Sequence, residues 1–294
     1  MSDLLLLLVT GLGLGALYFL AASGLSLIYG LMGVLNFAHG VFMTAGAYAG
    51  WLTMSDLPQS LPIGARLAVA VVVAVLVGAV IGLVVEVVLI RPLYHHHIQQ
   101  VLVTVGLSLA GVAAAQGIWG ADPRPVETPA WMSGTTVILG ARLPNDRFVY
   151  IAVALMLLAG LLALLRYTRL GLVIRAGVEN RTMVEALGID VQRTFTIVFA
   201  IGGAAAGLAG VLYSQYAGAV SPGQGGSLLI YAFIVVVIGG MGSLTGTAVA
   251  AVVVGLVQQL ANYYAASGVG DLSVVLLLAL VLLLRPSSLK GASA

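Results

Sequence analysis

The segment "RLAVAVVVAVLVGAVIGLVVEVVLI", residues 66–90, is apolar except for one charge at its start and one near its end. A helix crosses the hydrocarbon core of a membrane with about 20 such residues. The rest of the chain is similar: of its 294 residues, 61% are hydrophobic and only 7% are charged. Soluble domains carry about 25% charged residues, so this chain cannot cover a surface that faces water. The sequence therefore predicts an integral membrane protein.

The apolar runs are continuous, which favours helices over the short alternating strands of a membrane barrel. We expect an all-α, polytopic helical bundle of about 8–10 spans, forming a single transmembrane domain over residues 1–294. The first run, "MSDLLLLLVTGLGLG", carries Asp3 and no basic region, so we interpret it as a span rather than a cleaved signal peptide. Nine apolar segments can be marked, at residues 4–29, 31–54, 66–90, 98–119, 148–166, 194–216, 228–241, 245–264 and 272–284.

Positive charges predict the orientation of these spans, because cytoplasmic loops are enriched in Lys and Arg. If nine segments cross, one side receives Arg91 together with Arg166, Arg169, Arg175, Arg181, Arg193, Arg285 and Lys290. The opposite side receives loop 120–147, whose prolines and "PND" turn signal predict an irregular, ordered external cap. The prediction is an N-terminus outside and a C-terminus in the cytoplasm.

The spans contain few ionisable groups, which disfavours an ion-coupled carrier. Glu86 is expected near the cytoplasmic end of its helix, close enough to Arg91 to pair with it. His39 is the one titratable group expected deep in the membrane. The consecutive run His95–His97 cannot direct three side chains at one metal, so we interpret it as a solvated basic cluster and expect no metal site.

Catalysis and nucleotide binding by this chain are not expected either. No acid–base pair, Ser–His–Asp arrangement or cofactor ligand set lies in the spans, which disfavours a membrane enzyme. Lys290 is the single lysine, so the chain has no GxxxxGK[ST] phosphate loop. Its net charge of +2 is too small to indicate nucleic acid. If the protein moves a solute uphill, a partner must supply the energy.

The polar segment 166–193 interrupts the spans. Residues 178–187 are predicted to form a short amphipathic helix on an apolar face of Val178, Met183, Val184 and Leu187, with Gly188 as a left-handed stop. Such a short helix needs a surface to lie on. Two surfaces remain possible, the membrane and a soluble partner. Acidic residues interleaved with the arginines disfavour a simple patch for anionic lipid.

Three blocks of the sequence carry a family resemblance. They are "GLSLIYGLMGVLNFAHGVFMTAGAY", "ALGIDVQRTFTIVFAIGGAAAGLAGVL" and "VIGGMGSLTGTAVAAVVVGLV", in this order along the chain. They resemble the LivH-type permease subunit of branched-chain amino acid ABC transporters. Within segment 167–193, "RAGVENRTMVEALGIDVQRTF" resembles the cytoplasmic coupling loop of ABC importer permeases. Loop 120–147 and the run His95–His97 match no motif of the family.

The resemblance implies an assembly around this chain. LivH-type subunits pair with a LivM-like permease subunit, sit on two cytoplasmic ABC ATPases that bind ATP and Mg²⁺, and receive ligand from a periplasmic binding protein. The chain itself would bind no cofactor. By the same likeness, an ATPase would dock on the region that contains Arg175, Glu179, Glu185, Ala186, Gly188 and Asp190.

Two glycine-rich breaks stand out, "GLMGVLNFAHG" at Gly30–Gly40 and "GGMGSLTG" at Gly239–Gly246. Their offset suggests an internal repeat. Backbone exposed by a broken helix is tolerated where it is buried in protein or lines a watery cavity, and paired breaks point to a transport path. Six residues are predicted to line this path: Asn36, His39, Gly40, Gly240, Ser243 and Thr245. The alternative for Asn36 and His39 is that they bond each other or a carbonyl only to pack the break.

The leading hypothesis is the permease subunit of an ATP-driven ABC importer for a small polar solute, in the cytoplasmic (inner) membrane of a bacterium. By family likeness the solute is a branched-chain or other hydrophobic amino acid. The alternatives are an importer of urea, short amides or aromatic acids, and a self-sufficient channel for a small neutral solute. The substrate itself, and whether two different or two identical permease chains pair, do not follow from the sequence.

Overall fold

The computed structural model describes residues 2–33, 35–94, 96–179, 183–184, 188, 190–265 and 268–284. This part of the chain forms eleven helices: α1 (Ser2–Met32), α2 (His39–Asp56), α3 (Ile63–Val85), α4 (His97–Trp119), α5 (Ala130–Ser133), α6 (Asn145–Tyr167), α7 (Arg169–Glu179), α8 (Val191–Ala217), α9 (Gln224–Gly239), α10 (Leu244–Tyr264) and α11 (Val269–Leu284). A π-helical turn (Glu86–Ile90) and a 3₁₀ turn (Arg91–Leu93) extend α3. The strands are short: β1 (Arg124–Pro125), β2 (Thr135–Ile138), β3 (Ala141–Pro144) and β4 (Ala219–Val220).

The helices confirm a polytopic α-helical membrane protein. Among the described residues, six helices are long and apolar enough to span a membrane: α1, α3 with its extension to Leu93, α4, α6, α8 and α10. The apolar helices α9 and α11 are shorter, and α2 has 18 residues. These nine helices correspond one to one with the nine predicted segments. The number that cross the membrane, about eight to ten, stays a prediction.

The predicted segment 31–54 is wrong at its start. Helix α1 continues to Met32 and ends at Gly33, whose φ of 64° is left-handed. The Gly33 N–H donates to the carbonyl of Tyr29 at 2.8 Å, a closing bond that glycine makes without strain. Helix α2 begins only at His39. The first break therefore separates two helices.

The helix ends gather at two faces. At the first, which we call the cap face, β1 pairs with β4 and β2 pairs with β3, and β3 also contacts α1. We call the second the break face. It contains the break 33–38, the end of α3, helix α7 and the link 240–243. Segment 167–179 and loop 120–147 thus lie on opposite faces, the relative arrangement that the nine predicted segments require.

Glycines set the closest helix crossings. Gly78 of α3 lies against Gly203 of α8, and a Cβ on either would collide with the backbone of the other. A Cβ on Gly255 of α10 would lie 2.6 Å from the Cα of Gly15 in α1. In lipid, small residues let two backbones approach and replace the hydrophobic effect as a source of association. The crossings α1 with α10 and α3 with α8 share this chemistry.

This contact pattern bears on the suspected repeat. α1 packs on α10 as α8 packs on α3, and α2 packs on α3 as α9 packs on α10. The pattern favours a relation between α1–α3 and α8–α10. In that relation the break 33–38 corresponds to the link 218–223 rather than to 239–246. The repeat remains a prediction.

The cap is tied to the helices by polar side chains. The buried Arg66 at the start of α3 forms an ion pair of 3.1 Å with Glu127 and donates to the carbonyl of Met54. The Trp51 indole N–H donates to the carbonyl of Pro125 at 3.2 Å. Loop 120–147 therefore holds the ends of α2 and α3 together.

The polar segment contains a helix, α7, that the sequence did not predict. The sequence predicts a helix over 178–187, whereas the structure places α7 at Arg169–Glu179. The Thr168 hydroxyl oxygen accepts the N–H of Gly171 at 3.1 Å and starts the helix one residue beyond α6. Met183 and Val184 are helical, and most of the remaining predicted helix, 180–182 and 185–187, lies outside the described residues.

Candidate translocation and coupling sites

The first break is closed by its own polar groups. Asn36 is buried, and its Oδ1 accepts the N–H of Ala38 at 3.0 Å, which closes the turn just before α2. His39 is fully buried, and its Nε2 lies 3.2 Å from the carbonyl of Ala21 in α1. The two side chains therefore bond to backbone rather than to each other. This geometry shows the packing role considered as the alternative, and leaves a role in the path as a prediction.

The space beside Asn36 is small. A cavity of about 20 Å³ lies between Asn36, Phe37, Leu229 and Phe233. Such a volume holds one water molecule but no amino acid. In this conformation the first break is shut.

Gly40 lies at a helix contact. A Cβ at Gly40 would lie 2.8 Å from the carbonyl oxygen of Gly225 in α9, and the N–H of Gly225 donates to the Thr44 hydroxyl at 3.2 Å. The missing side chain allows α2 and α9 to touch through their backbones. The structure therefore gives Gly40 a packing contact, and its predicted place on the path is not shown.

The second break is formed by glycines in the left-handed conformation. Gly240 and Gly242 have φ of 89° and 86° and stop α9. The Ser243 hydroxyl oxygen then caps α10 by accepting the N–H of Gly246 at 3.1 Å. Thr245 is exposed on α10, and its predicted place on the path stays a prediction.

A hydroxyl that the sequence did not single out, that of Thr247, faces the interior of the helix bundle. Thr247, fully buried, donates to the carbonyl of Ser243 at 2.8 Å and lies 3.0 Å from the Ser26 hydroxyl in α1. Thr245 and Thr247 lie on different sides of α10, since residues two apart are about half a turn from each other and point in nearly opposite directions. The small polar residues on α1 and α10 were the only feature of the sequence that could have indicated this contact.

The two breaks meet. Gly242 lies against Gly30 at the end of α1, so close that a Cβ on Gly242 would be 2.7 Å from the Cα of Gly30. Beside this contact lies a cavity of about 590 Å³, lined by the end of α1, Met241, Gly242 and residues of α7 that include Ile174 and Arg175. A predicted coupling residue and both breaks therefore border one space at the break face.

Of the other predicted coupling residues, some lie within the described part of the chain and some lie outside it. Glu179 ends α7, and Gly188 has the left-handed φ of 79° expected of a helix stop. Asp190 caps α8 by accepting the N–H of Arg193 at 3.1 Å. Glu185 and Ala186 lie outside the described residues. The structure thus places Arg175 and Asp190 at either side of the segment but does not test its docking.

A buried cluster of charged and polar groups links the start of α8 to the end of α3. The sequence predicted only the pair of Glu86 with Arg91. Glu86 is fully buried and pairs with Arg91 at 3.2 Å, as predicted. The Thr196 hydroxyl of α8 donates to the same carboxylate at 2.7 Å, and the Tyr94 hydroxyl donates to its other oxygen. The sequence predicted the pairing with Arg91 but not the burial of Glu86 or its contact with α8. Its carboxylate joins α3 to the helix that follows segment 167–193, within a π-helical turn of the kind that often marks a functional site.

Comparisons with known proteins agree with this architecture. The family model "Branched-chain amino acid transport system / permease component" matches residues 7–284. The chain is 30% identical to the high-affinity branched-chain amino acid transport system permease protein LivH of Salmonella typhimurium, over 96% of this chain and 93% of that protein. It is 28% identical to BraD of Pseudomonas aeruginosa, a permease protein of the same kind of system, over 97% and 94% of the two chains.

The likeness extends to an archaeal protein. A probable branched-chain amino acid transport permease protein LivH of Methanocaldococcus jannaschii is 29% identical, over 92% of this chain and 88% of its own length. No solved structure matches the chain. The matched region covers all nine long helices, so the chain belongs to the branched-chain amino acid permease family of ABC transport systems: it is a multi-pass membrane subunit and not an enzyme.

Proposed function

We propose that this permease subunit translocates branched-chain or other hydrophobic amino acids, released to it by a periplasmic binding protein. It would pair with a second, LivM-like permease subunit and stand on two ABC ATPases that bind ATP and Mg²⁺. The relatives supply the substrate class: LivH and BraD are named as permeases for branched-chain amino acids. The N-terminus would lie outside and the C-terminus in the cytoplasm, which makes the break face the cytoplasmic one.

The observation that carries the proposal is the shared cavity at the break face. Arg175 of α7 borders the space where Gly30 meets Gly242. A partner that moves α7 would therefore act on the contact between the two breaks. Rigid-body motion of a docked element is a usual way to open a distant passage.

Reconstitution tests the function. The chain is purified with the second permease, the ATPases and the binding protein encoded beside it, and placed in vesicles that contain ATP. We expect leucine uptake that requires ATP and the binding protein. Uptake at the same rate after the ATPases are removed would favour the alternative, a self-sufficient channel. Uptake of urea, short amides or aromatic acids in place of leucine would refute the proposed substrate class.

The coupling role is tested in the same vesicles. Arg175→Ala should lower leucine uptake per ATP hydrolysed, because it changes the wall between α7 and the breaks. Arg142→Ala, on the exposed β3 strand at the cap face, is the matched control and should behave as wild type. If the two variants take up the same amount of leucine per ATP hydrolysed, Arg175 has no role in coupling.

A further inference from the structure

Tyrosines and a carboxylate form a polar seam at the cap-face ends of the helices. The Tyr18 hydroxyl of α1 donates to Gln258 Oε1 at 2.6 Å, and Gln258 Nε2 donates to Asp271 Oδ1 at 2.7 Å. The ring of Tyr231 in α9 stacks on Tyr18, with centroids 4.8 Å apart. Tyr231 therefore lies beside the pair formed by Tyr18 and Gln258, whose amide binds Asp271. We call these residues, with Tyr213 and Tyr216 of α8, the tyrosine seam.

The seam continues across α8 to a positive charge. The rings of Tyr213 and Tyr216 lie 5.9 Å apart, and the guanidinium of Arg147 at the start of α6 lies 4.3 Å from the centre of the Tyr216 ring. Arg147 is 3.5 Å from Asp146, yet its Nε has no hydrogen-bond partner. The seam therefore combines two aromatic pairs on the packed helices α1, α8 and α9 with the carboxylate of Asp271 and the guanidinium of Arg147.

The seam opens at the surface. Asp271 is exposed in the first turn of α11, and Tyr213, Tyr216 and Tyr231 are half-buried. Helices α8 to α10 supply no acidic residue of their own. Asp271 is therefore the only acidic residue in helices α8 to α11. An Asp in the first turn of a helix also interacts favourably with the helix dipole. That interaction alone would not explain why Asp271 is bonded to Gln258 and lies near the tyrosines.

From this arrangement we propose that the tyrosine seam is the outer binding site for the solute, and that Asp271 binds its ammonium group. The proposal rests on the proposed function and narrows it. A carboxylate beside aromatic faces suits an ammonium ion, which is attracted by the charge and by the rings within about 6 Å. Neutral urea and neutral amides carry no such group. The seam therefore selects amino acids among the solutes considered for this family.

The natural sequence makes a direct test simple, because it contains no cysteine. Tyr213→Cys introduces a single thiol into the seam of the full complex in membrane vesicles. Its modification by a membrane-impermeant maleimide is timed with and without a probe at millimolar concentration. The probes are leucine, 3-methylbutylamine, which has the amine without the carboxylate, and 4-methylpentanoate, which has the carboxylate without the amine. Ile118→Cys, exposed at the cap-face end of α4, is the control.

We expect leucine and 3-methylbutylamine to slow modification at Tyr213→Cys, 4-methylpentanoate to leave it unchanged, and no probe to affect Ile118→Cys. Adding Asp271→Asn should raise the leucine concentration for half protection by about tenfold, the loss typical of a charge-assisted bond. Asp271→Glu should retain most of the protection. Equal protection by 4-methylpentanoate, or full protection in Asp271→Asn, would overturn the proposal.

Leucine uptake by the wild-type complex distinguishes a failure of the proposed binding site from a failure of the proposed function. If the seam is protected by amines but no amino acid is taken up, the binding site stands and the proposed function fails. If leucine is taken up in an ATP-dependent manner and Asp271→Asn is indistinguishable from wild type in protection and in uptake, the function stands and the site is wrong.

Discussion

The buried carboxylate of Glu86 offers the sharpest test of the energetics. It accepts from Arg91, Tyr94 and Thr196 with no exposed surface of its own. Glu86→Ala removes the acceptor shared by all three. Breaking a fully buried ion pair costs about 3–5 kcal/mol, because a charge is left without compensation. The Arg91 side chain is 36% exposed and can regain water. We therefore expect a loss of about 2 kcal/mol in the free energy of unfolding.

Unfolding in mixed micelles by SDS, followed by tryptophan fluorescence, measures this loss. Asp3→Asn, at the exposed start of α1, is the control and should stay within about 0.5 kcal/mol of wild type. The double variant Glu86→Gln with Arg91→Met removes both charges, and it should be more stable than Glu86→Gln alone. Glu86→Ala at wild-type stability, or a double variant that simply adds the two single losses, would refute the reasoning.

Three smaller predictions concern packing and capping. Gly203→Leu should prevent folding, because its Cβ collides with the backbone of Gly78, whereas Gly117→Leu, which meets no atom, should yield a monodisperse protein in size-exclusion chromatography. Ser243→Ala removes the cap of α10 and should cost about 1 kcal/mol in SDS unfolding; no measurable loss would show that the cap is dispensable. Thr247→Val should cost about 0.6 kcal/mol through its lost bond to Ser26, while the exposed Thr245→Val should cost less; the reverse order would contradict the inward side assigned to α10.

The spans and the Glu86–Arg91 pair could be predicted from the sequence for a physical reason. Lipid offers no hydrogen bonds, so an apolar run of sufficient length must be helical whatever surrounds it. A Glu and an Arg five residues apart at a helix end reach each other without help from the rest of the fold. Both inferences depend only on local chemistry, and the structure contains both features.

The errors arise where tertiary context decides. The sequence did not predict α7, whose start is fixed by Thr168, and this capping role is visible only once α6 is known to end beside it. Thr245 and Thr247 both lie in the first turn of α10, and which of them faces α1 depends on how α10 is rotated. The seam was missed because Tyr18, Tyr231 and Asp271 are distant in sequence and become neighbours only through the packing of α1, α9 and α11.

The positions of the open and closed regions fit the proposed transport cycle. Asn36 and Ser243 already accept backbone N–H groups, and Thr247 is occupied with Ser26, whereas Asn36 Nδ2 and His39 Nδ1 have no hydrogen-bond partner in this conformation. Open space lies instead at the break face, beside Arg175, while the tyrosine seam lies at the cap face. In the proposed cycle, breaks that are in contact at the break face and a seam that is exposed toward the cap face would correspond to a path closed on the cytoplasmic side. If α7 is the element that an ATPase moves, its motion must separate Gly30 from Gly242 before a solute held at the seam can pass, and the glycine contact there is the step to observe.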